Sequence, residues 1–288
     1  MKKMLSLIIT CIAALSIVLA GCSAQNGSTD QNGASDGNLK GIGTVKQNKE
    51  LYNSLPERIK KSKEIINGID DSYPPMDFRD DNNNLVGFDI DIDRALSAKL
   101  GVQIKNVPTD WSGIIPSLQN KKLDMILSAL GITKDREKSV SFSKPYFMGG
   151  MTVISNKKNK HPIKNDKDLK GKVVGVQLGA QAIVDYAEKV PGIKDVKKYD
   201  KTTEGLQDLA NGRIDAYIDD FQIASYYMTK VPGQYVKHEL GVEEPYGIAF
   251  RKDDKKLQDS VQKAFDELKQ EGVLSKISKK WFGEDIYK

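Results

Sequence analysis

From about residue 51 onward, short apolar runs with strand character alternate with stretches in which apolar residues recur at helical spacing. Residues 64–68 (Glu-Ile-Ile-Asn-Gly) predict a strand that opens into the turn-rich Asp70-Asp71-Ser72-Tyr73-Pro74-Pro75. The stretch 87–101 predicts a helix, with Asp89 as a plausible cap, Ile92, Ala95, Leu96 and Leu100 on one face, and Gly101 as its stop. Strands are expected over 103–107, 123–127, 172–177 and 214–218, and helices over 114–120, 180–190, 203–211, 257–271 and 274–281. Strands and helices taking turns in this way predict an α/β architecture built on mostly parallel sheets.

The pattern upstream is different. Residues 1–21 hold Lys2 and Lys3, then an almost unbroken apolar run, then Leu19-Ala20-Gly21 before Cys22. Length and flanks predict an export signal. A cysteine directly after this small-residue turn resembles a bacterial lipoprotein box, which implies cleavage before Cys22 and lipid on its thiol, and hence a membrane anchor. Cys11 lies in the discarded piece, so no disulfide or thiol metal site is expected. Residues 22–50 are expected to be a flexible tether, because Gly, Ser, Asn, Gln and Asp dominate their first part. Roughly 235 residues remain, enough for one large domain or two small lobes. Losing Lys2 and Lys3 takes the net charge from +5 to +3, spread over mixed-sign stretches, so nucleic-acid binding has little support.

Candidate chemistry clusters where strands end, the usual place for ligands of open α/β sheets. Asp70 and Tyr73 follow the first strand and could face a cleft; equally, Asp70 could cap the turn while Tyr73 packs beside the prolines. Trp111 stands on a polar loop after the second strand, as binding surface or as core. An apolar run ends in the small-residue turn around Ser128, Ala129 and Gly131, and Arg136 follows a few residues later, so that its guanidinium can reach back over that turn and hold a carboxylate bidentately. Gly179, Ala180 and Gln181 enter a helix whose open amides suit an anion, although ordinary turn geometry also accounts for the glycine. Asp220 could pair with an ammonium, and Asp219 or Asp220 could instead cap a helix.

Other motifs fail. Asp80-Asp81-Asn82-Asn83-Asn84-Leu85 lacks the glycine and glutamate of a calcium loop and reads as a hairpin turn. His161 and His238 have no metal-ligand spacing and are expected at the surface. There is no Gly-x-Ser-x-Gly elbow and no phosphate loop. No cofactor and no metal are expected.

Taken together, Gly68-Ile-Asp-Asp-Ser-Tyr-Pro-Pro-Met, Leu85-Val-Gly-Phe-Asp-Ile-Asp, Ile115-Pro-Ser-Leu, Leu130-Gly-Ile-Thr-Lys-Asp-Arg-Glu, Phe142-Ser-Lys-Pro-Tyr and Gly212-Arg-Ile-Asp-Ala resemble the family 3 extracellular solute-binding proteins, the polar-amino-acid receptors of ABC importers. The resemblance implies a two-lobed, type II periplasmic-binding-protein-like α/β fold with two hinge strands. Its crossings are expected near Ile154 and Tyr246, giving a first lobe over 51–154 and 246–288 and a second over 155–245. It further implies a non-enzymatic monomer that closes on one free amino acid, polar or cationic, and delivers it to a membrane permease. In that scheme Arg136 and the Gly131 amide take the α-carboxylate, with an amide at Ala180 or Gln181 from the other lobe. Asp220, assisted by the Ala129 carbonyl, takes the α-ammonium. Asp70, Tyr73, Trp111 and Gln177 surround the side chain, with Ser128 alongside. Family members often carry Ser or Thr where Gly131 stands and commonly Thr where Ala180 stands, so those contacts are expected from main chain or water. The competing expectations are a cyclic-carboxylate dehydratase on the same fold, with Asp70 or Asp220 as general acid, and a ligand-sensing module.

Overall fold

A computed structural model describes residues 37–159 and 163–288. Two five-stranded sheets organise it. In the first, Gln103–Pro108, Glu64–Ile69 and Met125–Ile126 run parallel, and Ala249–Phe250 and Ser141–Phe142 complete the order with antiparallel pairings. In the second, Asp195–Tyr199, Val173–Gln177 and Ala216–Asp220 run parallel, followed by antiparallel Phe147–Asn156 and Tyr235–Tyr246. The sheets are therefore mixed, and the expectation of mostly parallel sheets holds only for the three leading strands of each. The long strands Phe147–Asn156 and Tyr235–Tyr246 are absent from the predicted elements, and both belong to the segments that link the two sheets. The chain leaves the first sheet after Ser141–Phe142, so the crossing lies at about residues 143–147. Ile154 is already inside the second sheet, opposite Tyr217 and Lys237. The second of the two long strands ends at Tyr246, which stands opposite Phe147 and forms an isolated bridge with Gly131 before the chain re-enters the first sheet at Ala249–Phe250.

Helix Phe88–Leu100 buries Ile92, Ala95, Leu96 and Leu100 against Lys255–Gln270 and Val273–Phe282, as its spacing requires. Asp89 does not cap it. Gly87 holds the cap position, and Asp89 is buried in the first turn, where its Oδ2 accepts from the Ala129 amide at 2.8 Å and the Tyr146 hydroxyl at 3.0 Å. Asp80 does make the expected turn, accepting the amides of Asn82 and Asn84 between Asp77–Arg79 and Leu85–Val86. His238 is exposed on the strand Tyr235–Tyr246, as expected, and His161 lies outside the described residues. The tether expectation needs correction at its end. Residues 37–50 are ordered: Asn38–Leu39 pairs with Gly43–Thr44, Ile42 and Val45 enter the core, and Asn48 caps the helix Lys49–Ser54. Polar composition hid two apolar anchors there. The signal, Cys22 and the start of the tether lie outside the described residues.

Candidate ligand-binding site

The parallel strands of both sheets end at one cleft of about 390 Å³. Asp70 follows Glu64–Ile69, Trp111 follows Gln103–Pro108, and Ser128, Ala129 and Gly131 follow Met125–Ile126. From the other sheet, Gln177 ends Val173–Gln177, and Asp220 ends Ala216–Asp220. Ten of the eleven sequence-predicted binding residues line this cleft: Asp70, Tyr73, Trp111, Ser128, Ala129, Gly131, Arg136, Gln177, Ala180 and Asp220. Gln181 does not; its side chain is exposed and donates to Asp185, although its backbone amide has no partner among the described residues. Ala182, Ile183 and Glu244 also line the cleft and were not anticipated.

The wall formed by Ser128 and Ala129 is held from behind. Ser128 Oγ accepts the Asp70 amide at 3.0 Å and donates to buried Asp77. Ala129 adopts φ +44, a left-handed conformation unusual for a residue with a Cβ, and the bond from its amide to Asp89 keeps it there. Two residues on, Gly131 faces Tyr246 with its polar groups turned away from that strand: Ile132 donates to the Pro245 carbonyl and Gly247 to the Leu130 carbonyl on either side of the pair. The Gly131 carbonyl accepts from Arg136 Nη1 at 2.9 Å, and its amide has no partner among the described residues.

Arg136 also reaches across the cleft, donating Nη2 to the Gly179 carbonyl at 3.2 Å, and its guanidinium carbon stands 5.9 Å from the Trp111 ring centre. Burial lowers its pKa, while the charges of Glu244 and Asp220 pull it back. Gly179 has φ +87, and a Cβ there would meet Ser112 Cα at 2.9 Å, so only glycine allows this approach of the two lobes. Gln177 bridges the lobes as well, donating Nε2 to Asp70 Oδ2 at 2.6 Å.

The opposite side of the cleft is acidic. The Tyr73 hydroxyl lies 2.7 Å from Asp219 Oδ1 and 2.6 Å from Asp220 Oδ2. A phenol has one proton, so one of these acids must supply the second. Asp219 suits that part: burial, and then the charge of Asp220, push it up to about 7. Burial also raises Asp220, against the hydroxyls of Tyr246 and Tyr73 and the charge of Arg136. Although it ends the strand ahead of helix Phe221–Lys230, the Asp220 side chain does not cap that helix. Its Oδ1 is buried with no hydrogen bond of ordinary geometry. The cleft thus presents a guanidinium from one lobe and an unsatisfied carboxylate oxygen from the other, with no metal-holding group of His, Cys, Asp or Glu among the described residues.

Residues 65–284 match the model of the bacterial extracellular solute-binding proteins, family 3. The chain belongs to this family. This solute-binding protein is 34% identical over 236 residues to the L-cystine-binding protein TcyJ of Escherichia coli (strain K12), covering 81% of this chain and 88% of that one. It is 34% identical over 247 residues to the lysine/arginine/ornithine-binding periplasmic protein of the same organism, covering 82% and 92%. An ancestral arginine-binding protein bound to arginine superposes with a TM-score of 0.73 at 41% identity, covering 77% of this chain and 99% of that chain. The architecture is the type II periplasmic-binding-protein fold seen in such structures. The solute-binding protein is an extracytoplasmic binding protein of the amino-acid ABC-transporter family, and the curated relatives named above are binding proteins rather than enzymes.

Glu244 escaped sequence reasoning because it sits in a linking strand whose pairing is long-range. The adjacent Pro245-Tyr246-Gly247 marked a break but gave no reason to aim its neighbour at the cleft.

Proposed function

We propose that the protein is the lipid-anchored receptor of an amino-acid ABC importer, closing its two lobes on one polar or cationic amino acid and handing it to a membrane permease. The observation that carries this reading is that Arg136 and the buried Asp220 Oδ1 line the same cleft from opposite lobes. A zwitterion is costly to bury unless both charges are met. Arg136 and the Gly131 amide take its carboxylate, aided by the Gln181 amide; Asp220 and the Ala129 carbonyl take its ammonium. Neither lobe satisfies the ligand alone, so the ligand favours the closed state by differential affinity. With Asp220 matched by the ammonium, Asp70 is left at the side-chain end of the cleft, which suits a ligand with a positive or strongly hydrogen-bonding side chain. Asp70, Tyr73, Trp111 and Gln177 receive that side chain. Cys22 carries the lipid, and the protein acts as a monomer.

Titration calorimetry of the soluble chain from residue 23 with the twenty common amino acids, L-cystine and L-ornithine tests the reading. One or a few are expected to bind at micromolar level, about 8 kcal/mol. No heat from any of them refutes it. Metabolic labelling with a palmitate analogue tests the anchor, which is expected to disappear in Cys22→Ser.

A further inference from the structure

Glu244 is a buried acid with no assigned part in the scheme above. It lies on the strand Tyr235–Tyr246, opposite Gly149, and lines the cleft. Its carboxyl group presses on the bare Cα of Gly131: a Cβ built there would lie 1.8 Å from Glu244 Oε1 and 2.5 Å from its carboxyl carbon. The side-chain position beside the Gly131 amide is thus filled by an acid arriving from another strand. No hydrogen bond engages that acid among the described residues, and the charges that act on it are those of Asp220 and Arg136.

We infer that Glu244 is a further ligand contact, whose protonated carboxyl donates a hydrogen bond to the ligand α-carboxylate beside the bare Cα of Gly131. The inference rests on the amino-acid-binding reading. Its physical basis is the charge balance of the closed cleft. Arg136 is matched by the ligand carboxylate and Asp220 by the ligand ammonium, so an ionised Glu244 would be a surplus negative charge against that carboxylate, out of water. A neutral acid there is a donor instead, and the scheme has few donors, since Gly131 and Ala180 bring no hydroxyl. Burial, then the charge of Asp220, already push Glu244 up to about 7, opposed by Arg136. Of the groups around it, Tyr246 is driven well above its usual value and Arg136 stays a cation, whereas burial also raises Asp220 and pushes Asp219 beside it up to about 7, so the comparison with Glu244→Gln assigns the proton. Above about pH 7 the free protein carries Glu244 ionised, so binding must take up a proton and affinity falls as pH rises.

The test is calorimetry with L-arginine, L-glutamine, L-histidine and L-cystine between about pH 6 and pH 8.5, in buffers of different ionisation enthalpy. Wild-type protein is expected to lose about tenfold or more in affinity across that range and to take up a substantial fraction of a proton near pH 8. Glu244→Gln keeps a donor that cannot titrate. It should bind about as tightly as wild type near pH 6, with a shallower pH profile and smaller proton uptake. Gly131→Ser combined with Glu244→Ala should restore a hydroxyl donor and bind with an equally shallow profile. A wild-type profile that is flat, or that Glu244→Gln leaves unchanged, overturns the inference while leaving the receptor reading intact. Loss of binding in Glu244→Gln at every pH also overturns it, since an ionised carboxylate would then be the required species. Silence from all four ligands and from the wider amino-acid panel overturns both.

Discussion

Replacing Asp220 by asparagine should move ligand affinity and protein stability in opposite directions. The side chain keeps its size, and the site is only 4% exposed, so little repacking is needed. Asp220 has two oxygens in different circumstances: Oδ2 faces the Tyr73 hydroxyl at 2.6 Å, and Oδ1 is buried with no hydrogen bond of ordinary geometry, although the Tyr246 hydroxyl is near enough to act on the carboxyl group. An amide cannot serve both places. With its oxygen toward Tyr73, it turns NH2 donors on the ligand ammonium; with its oxygen toward the ammonium, it loses the acceptor that Tyr73 uses. Either way the buried charge pair with the ammonium is gone, and breaking such a pair costs about 3–5 kcal/mol, or roughly a hundredfold to several thousandfold in affinity. A micromolar receptor would become a millimolar one, measurable by calorimetry or ligand-detected NMR. In the free protein the same change removes a buried acid already raised by desolvation and set beside Asp219, so Tm should rise at pH 8. Affinity within a few fold of wild type would refute the placement of the ammonium, and a lowered Tm would refute the account of Asp220 as a carboxylate left waiting for a partner.

Arg136→Lys should weaken binding about tenfold to a hundredfold, because a point charge cannot hold the Gly131 and Gly179 carbonyls and a carboxylate together; Arg136→Ala should abolish detectable binding, and calorimetry at matched concentrations separates the two. Gly179→Ala forces a Cβ into a φ of +87 and against Ser112 in the closed form, so affinity should fall about tenfold or more and X-ray scattering with ligand should show a more open particle. Glu244 and Asp219 both rise to about 7 on burial, so the stability they contribute is complete below their unfolded pKa values, near 4, and is lost as pH rises through 7. Wild-type Tm should accordingly be higher near pH 5 than near pH 8. Glu244→Gln should regain up to about 3 kcal/mol at pH 8 and little at pH 5; equal gains at both would contradict the burial of an ionised carboxyl.

Local pattern was enough to read Glu64–Ile69, Gln103–Pro108, Val173–Gln177 and the helices that follow them, because apolar period and turn residues act within a few positions. It also brought out residues at the ends of those strands, since a parallel α/β sheet opens its strand ends to ligand: Asp70, Trp111 and Asp220 line the cleft, as do Ser128 and Gln177, which the family resemblance supplied. The ordered hairpin at residues 37–50 was missed because Ile42 and Val45 are buried by Phe88–Leu100 and its neighbours, partners far along the chain. Asp89 looked like a cap on its own helix and instead fixes the Ala129 turn forty residues away. Glu244 was invisible for the same reason: only the pairing of Tyr235–Tyr246 with Phe147–Asn156, and the close pass of Gly131, aim it into the site. Periodicity and turn chemistry are local and can be read from neighbours. Which buried carboxyl meets which glycine, hydroxyl or guanidinium depends on contacts between distant segments, and those exist only once the two lobes have folded and met.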